Sequence, residues 1–105
     1  EALAASETLS NLTQLTLTFN PIGLRGAEAI AGSENFRNLT LIDLYEAELG
    51  SMGARVLAES TNLPNLETLV LIHNDVSDGV QALFKDNKNF PKLKDVYFYK
   101  AKAEA

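Results

Sequence analysis

The chain has no cysteine and no tryptophan, and only one histidine, one methionine and three prolines in 105 residues. Without cysteine there is no disulfide framework, no thiol nucleophile and no cysteine metal site. Such a composition suits a reducing compartment without fixing one, and slightly favours the cytoplasm. No apolar run approaches the roughly 20 residues of a membrane helix. No charged, apolar and cleavage segments follow one another as in a secretory signal, so no membrane partner is expected. Positive charge is scarce over most of the length. Residues 1–84 carry eleven acids against Arg25, Arg37 and Arg55, while all six lysines fall within 85–105 beside three acids. With a net charge of −5 there is no basic stripe to neutralise phosphates, and nucleic acid is not an expected partner. The lysines at the end are read as keeping the last, uncovered part of the fold in water and guarding an edge strand against pairing.

What the chain does have is a period. From Asn11 it reads NLTQLTLTFNPIGLRGAEAIAGSENFR, from Asn38 NLTLIDLYEAELGSMGARVLAESTNLP, and from Asn65 NLETLVLIHNDVSDGVQALFKDNKNFP. A fourth copy begins at Lys92 and stops part-way, and EALAASETLS at 1–10 aligns with EAIAGSENFR at 28–37. The chain is therefore read as a single domain of a partial copy 1–10, copies 11–37, 38–64 and 65–91, and a terminal partial copy 92–105.

Apolar residues recur in columns. Leu12, Leu39, Leu66 and Leu93 form one, Leu15, Ile42, Leu69 and Val96 the next, and Leu17, Leu44, Leu71 and Phe98 a third. The last two columns are two residues apart, the spacing of a strand. Further on, Ile30, Leu57 and Phe84, then Phe36, Leu63 and Phe90, sit in Ala- and Glu-rich stretches of helical spacing. Each copy thus reads as strand, loop, helix, loop. Gly26 and Gly53 are expected to make room where helix meets strand, with Val80 pushing the third helix outward.

These residues resemble the leucine-rich repeat family. Its LxxLxLxxNxL pattern is matched by Leu12, Leu15, Leu17, Asn20 and Ile22, and again by Leu66, Leu69, Leu71, Asn74 and Val76. The unit length and the glycines at 23, 26, 50 and 53 are similar to the ribonuclease-inhibitor-like subclass, and the phrase ALAAS to bacterial arrays of such repeats. The resemblance implies an α/β solenoid with a curved parallel sheet on the concave side and helices on the convex side. It also implies a buried column of asparagines, Asn20 and Asn74, bonding loop backbone of adjacent copies. Ala47 interrupts that column, so the middle copy must meet the same need with water or an altered backbone.

Strand residues outside the core columns face the other side of the sheet. They include Leu41, Asp43, Tyr45, Val70, Ile72, Tyr97 and Tyr99, with Phe19, Glu46, His73 and Lys100 just beyond. A solvated sheet face would be rich in charge and threonine, whereas this one carries apolar and aromatic residues inside a charged rim, the composition of an interface. DVYFYK at 95–100 is the clearest case: Phe98 belongs to a core column, so Tyr97 and Tyr99 point away from it.

Ser77, His73 and Asp75 do not make a catalytic triad. Three residues leaving one strand at two-residue spacing cannot set nucleophile, base and orienting acid in series beside an oxyanion hole. One imidazole among Glu46, Glu48 and Asp75 is a weak ligand set. No catalytic residue, metal or cofactor is therefore expected. The function read from the sequence is a non-catalytic scaffold that binds a protein or peptide through the concave face, as a monomer or weak dimer. The alternative is a recognition segment of a larger enzyme or effector whose catalytic part lies outside this chain.

Overall fold

Four short parallel strands lie side by side, and each residue of the first three pairs with the residue 27 places further on. The structure, a computed structural model, describes residues 12–99. The helix expected within 1–10 and the residues Lys100, Ala101 and Lys102 lie outside the described residues. In chain order the elements are β1 (Gln14–Thr16), α1 (Gly23–Gly32), a 3-10 turn (Glu34–Phe36), β2 (Leu41–Asp43), α2 (Gly50–Ala58), β3 (Thr68–Val70), α3 (Asp78–Gln81), a second 3-10 turn (Ala82–Phe84) and β4 (Asp95–Tyr97). The sheet order is β1-β2-β3-β4. Gln14 pairs with Leu41, Leu41 with Thr68, and Thr68 with Asp95. Parallel neighbours cannot be joined by a hairpin, so a helical segment carries the chain back to the start of each next strand.

The core lies between sheet and helices. Leu15, Ile42 and Leu69 point into it from the strands, and meet Ala27, Ile30, Ala54 and Leu57 from the helices. Burial is most complete in the middle: Leu39, Ile42, Leu44, Leu57 and Leu63 are sealed on both sides. Leu12, Leu17 and Ile22 at one end, and Leu93 and Val96 at the other, are only partly covered. At the far end the columns enlarge to Phe84, Phe90 and Phe98. The Phe84 ring centroid lies 6.1 Å from Phe90 and 5.8 Å from Phe98. Larger side chains there thicken the last layer of the core.

Where each strand turns toward its helix, the backbone is buried and needs hydrogen-bond partners. Asn74 supplies them for the copy before it. Only 3% exposed, its Oδ1 accepts from the N–H groups of Ala47 at 3.1 Å and Leu49 at 3.0 Å, and its Nδ2 donates to Leu44 O at 2.7 Å. Asn20 behaves otherwise, correcting the expectation of burial. It is exposed, and among the described residues its Nδ2 donates to Thr18 O at 3.1 Å, within its own turn.

The Ala47 interruption has its counterpart in the preceding copy, at Pro21. By the geometry of Asn74, a side chain at 47 would serve the N–H groups of Asn20 and Ile22. Both are already satisfied within their own loop: Asn20 N–H donates to Leu17 O at 3.1 Å and Ile22 N–H to Asn20 O at 2.7 Å. The second bond is a three-residue turn centred on Pro21, whose ring fixes the φ that such a turn needs. The equivalent residues Glu48 and Asp75 have φ of 60° and 54°, which proline cannot adopt. Pro21 therefore forbids the loop shape that receives an asparagine and satisfies the same donors by another route.

A second set of corner bonds runs along the helix C-termini. Ser60 Oγ donates to Ala31 O at 2.7 Å, and Asn87 Nδ2 to Ala58 O at 2.8 Å, each reaching back one copy. Ser60 Oγ also accepts from Asn62 N–H and Asn87 Oδ1 from Asn89 N–H, each two residues on, as Ser33 Oγ does from Asn35 N–H. Lys92 and Lys94 likewise reach back, Lys92 Nζ to Asn65 Oδ1 at 2.9 Å and Lys94 Nζ to the Glu67 carboxylate at 3.6 Å. They are thus engaged with the preceding copy rather than standing free along the edge.

The third copy departs from the first two. Gly23 and Gly50 open α1 and α2 at φ of 62° and 67°, a region that costs glycine nothing. Ser77 stands in that place, adopts φ of −67°, and caps α3 by accepting from Val80 N–H at 3.4 Å. The role of the next glycine is also corrected. A Cβ on Gly26 would overlap Ile22 Cβ, and one on Gly53 would stand 3.0 Å from Leu49 Cβ. The space is taken by the residue leading into the same helix, not by the sheet. With Val80 there instead, α3 is four residues long and buries none of them.

Asn74→Ala removes one side chain from three buried backbone groups and is expected to destabilise by about 1–3 kcal/mol. Identical urea midpoints for the two proteins would defeat the corner argument. Ala47→Asn places an amide in a fully buried site whose donors are already used, and should cost a comparable ~1–3 kcal/mol. Adding Pro21→Asp, which permits the loop shape seen at Asp75, should recover most of that loss. A double-mutant cycle with no coupling would show the two positions to be independent.

Candidate functional site

The face of the sheet turned away from the helices carries the side chains flanking each buried strand residue. Leu41 and Asp43 flank Ile42, Thr68 and Val70 flank Leu69, and Asp95 and Tyr97 flank Val96; all six are half-buried. One step on, Tyr45 and Ile72 are half-buried, while Tyr99 is 49% exposed beside Phe98 at 9%. The DVYFYK alternation therefore has the expected register. Lys100 lies outside the described residues.

Phe19, Glu46 and His73 occupy the same place in successive loops, and all are exposed. Their φ values are 62°, 52° and 60°, a left-handed conformation that disfavours any side chain with a Cβ. The turn at the end of each strand imposes it, and it throws these side chains up at the rim of the sheet. There Phe19, Tyr45 and His73 form one aromatic row. The Tyr45 ring centroid is 5.4 Å from Phe19 and 5.3 Å from His73, with interplanar angles of 68° and 88°. Edge-to-face contacts of this kind are worth about 0.5–1.5 kcal/mol each beyond area burial. They fix Tyr45 between its neighbours, and Asp43 fixes its backbone: Asp43 Oδ1 accepts from Tyr45 N–H at 3.1 Å.

Tyr99 does not join this row. Its hydroxyl accepts from Gln81 Nε2 at 3.2 Å, and Gln81 Nε2 also donates to Val76 O at 3.0 Å. Tyr99 thus leans over the last described loop, above a cavity of about 220 Å³ lined by Leu71, Asn74, Val76 and Phe98. The aromatic contacts thus centre on Tyr45, and Tyr99 stands apart from them. The turn of Tyr99 toward Gln81 is not visible in the apolar pattern, because Gln81 stands in a helical column otherwise filled by Ala27 and Ala54.

The electrostatics of the rim are one-sided. Asp43, Glu46, Glu48 and Asp75 border the aromatic row, and among the described residues no cation is paired with any of them. The ion pairs there join Arg55 to Glu59 and Lys94 to Glu67, away from this face. Ser77 is committed to its helix cap and donates its N–H to Ser51 Oγ at 2.8 Å, so it offers His73 no nucleophile. Among the described residues no group of three or more His, Cys, Asp or Glu side chains could hold a metal ion. A further depression lies elsewhere, a cleft of about 660 Å³ between α2 and α3 lined by Arg55, Glu59, Val80, Leu83 and Asn87 among others. The exchange of Gly53 for Val80 and the shortening of α3 leave this cleft.

A family model described as Leucine Rich repeat matches residues 8–31, which include β1 and most of α1. No significant match to a curated protein or to a solved structure accompanies it. Together with the parallel four-stranded sheet, the match supports a leucine-rich repeat protein. Domains of that class generally mediate protein–protein interaction and are typically non-catalytic.

Phe98→Ala should destabilise by about 3 kcal/mol, through the cavity left against Phe84. Tyr99→Ala should stay within about 1 kcal/mol of wild type, losing one exposed hydrogen bond. Thermal melts of the two variants check this; the reverse ranking would invert the register of β4 and with it the whole face.

Proposed function

We propose that this chain is a stretch of leucine-rich repeat solenoid on a 27-residue unit, of the ribonuclease-inhibitor-like kind, with copies at 11–37, 38–64 and 65–91. In this reading it is a non-catalytic scaffold that binds a protein or peptide through the open, concave face of its sheet. The observation that carries the reading is the aromatic row of Phe19, Tyr45 and His73, contiguous with Leu41, Val70, Ile72 and Tyr97. Seven residues with apolar or aromatic surface on one sheet face, set in a charged rim, match the anatomy of interfaces, where tyrosine is favoured as an anchor. Tyrosine offers a large flat surface and a hydroxyl at little entropic cost. The fold holds these side chains on strands of fixed register, so little ordering remains to oppose binding. Protein ligands, rather than nucleic acid or membrane, fit the acidic, cysteine-free surface.

Tyr45→Ala should weaken partner binding by about 2 kcal/mol while far-UV circular dichroism stays unchanged. Affinity capture on immobilised wild type, on Tyr45→Ala with Ile72→Ser, and on Leu83→Ser in the helical cleft checks the face. The concave double variant should lose the proteins that wild type and Leu83→Ser retain. Equal recovery by all three would sink the reading.

A further inference from the structure

Resting on that reading, we infer that the ligand is a cationic, arginine-bearing extended segment, taken up where the aromatic row meets the unpaired carboxylates. The inference stands on two features that coincide in space. First, Tyr45 is clamped edge-to-face between Phe19 and His73, so aromatic surface is presented at the rim rather than folded into the core; Phe19 is 65% exposed. Aromatic faces attract a guanidinium or ammonium through their quadrupole, and an arginine plane also stacks on them. Second, the carboxylates bordering this surface are all of one sign. Asp43 and Glu46 flank Tyr45 in sequence on either side of the turn, and Glu48 and Asp75 stand on the adjoining loops. None has a cation partner among the described residues.

The backbone holds these acids for a ligand to meet. Glu46, Glu48 and Asp75 all sit at left-handed φ, 52°, 60° and 54°; Glu46 N–H donates to Ile72 O, and the N–H groups on either side of Glu48 are bonded by Asn74. Asp43 is held by Tyr45 N–H through one oxygen, which leaves its other oxygen for an incoming donor. A neutral or acidic ligand would bury or crowd these charges without compensation, which is costly. An arginine answers both features at once: its plane on the aromatic row, its donor fork on a carboxylate. The apolar residues Leu41, Val70 and Ile72 beside the row take the side chains between the cations. An extended segment presents alternate side chains to one surface, so basic and apolar residues in alternation fit.

Fluorescence anisotropy with three labelled twelve-residue peptides tests this: alternating arginine and leucine, the same peptide with citrulline for arginine, and the same with glutamate for arginine. Wild type should bind the arginine peptide at least tenfold more tightly than either other. Asp43→Asn with Glu46→Gln should weaken it at least tenfold, and so should Tyr45→Ala. Glu28→Gln with Glu34→Gln removes the same charge from exposed positions in α1 and the turn after it, and should change the affinity less than twofold. A loss as large in that control pair would mean attraction by net charge alone and overturn the proposal. Equal affinity for the arginine and citrulline peptides, still lost with Tyr45→Ala, would also overturn it while leaving the concave face as the binding surface. No measurable binding of the arginine peptide by wild type would overturn it too, and the capture experiment above would then judge the face separately.

Discussion

Each copy of this chain must turn a corner twice, once from strand to helix and once from helix back to the next strand, and both corners carry backbone amides out of water. A buried amide without a partner costs more than most single contacts contribute. The fold is arranged around that constraint. Asn74 answers it for the copy before, Pro21 answers it within its own loop, and Ser60 and Asn87 answer it at the helix ends. The leucine columns supply the drive to collapse, but apolar contact is indifferent to small slides of one layer over the next. The directional bonds of Asn74, Ser60 and Asn87, each reaching the copy before, are what hold neighbouring layers at a single offset.

Much of this was legible from the sequence because a period-two apolar pattern inside a fixed period leaves little choice. Leu15, Ile42, Leu69 and Val96 could share a sheet only as parallel neighbours, and Phe98 could enter the core only if Tyr97 and Tyr99 left it. The corners were harder. Asn74 was visible as a column, yet Asn20 in the same column is exposed, since such a side chain serves the loop before it and not its own. Pro21 and Ala47 carried a readable signal, a proline and a missing asparagine one copy apart, but its meaning depends on a φ angle. The Ser-x-Asn and Asn-x-Asn phrases at 33–35, 60–62 and 87–89 recur with the period as well, but the reach of Ser60 and Asn87 to the preceding copy is not visible in the apolar pattern they lie outside.

The open face of the sheet was legible as a set and not as an arrangement. Alternation assigned Leu41, Asp43, Val70, Ile72 and Tyr97 to one side of the sheet. It could not reveal that Tyr45 turns toward Phe19 and His73, nor that Tyr99 turns toward Gln81, because those choices are made by rotamers and neighbours of different copies. The third copy shows how few residues decide such matters. Serine for glycine at 77 and valine for glycine at 80 change how the chain leads into its helix, and a cleft on the helical side follows.

The left-handed residues at the end of each strand have a consequence for how this surface can diversify. Phenylalanine, glutamate and histidine occupy one backbone geometry at 19, 46 and 73, so its conformational cost is the same to first order whichever of them is present. The position acts as a socket whose contents vary independently of the scaffold. The socket is nonetheless selective: valine, isoleucine and threonine, the residues a strand would otherwise favour, fit the left-handed region poorly. Mutation along this row therefore moves among aromatic, long and flexible, and small polar side chains, and the vocabulary available for evolving new ligands is set by a dihedral angle.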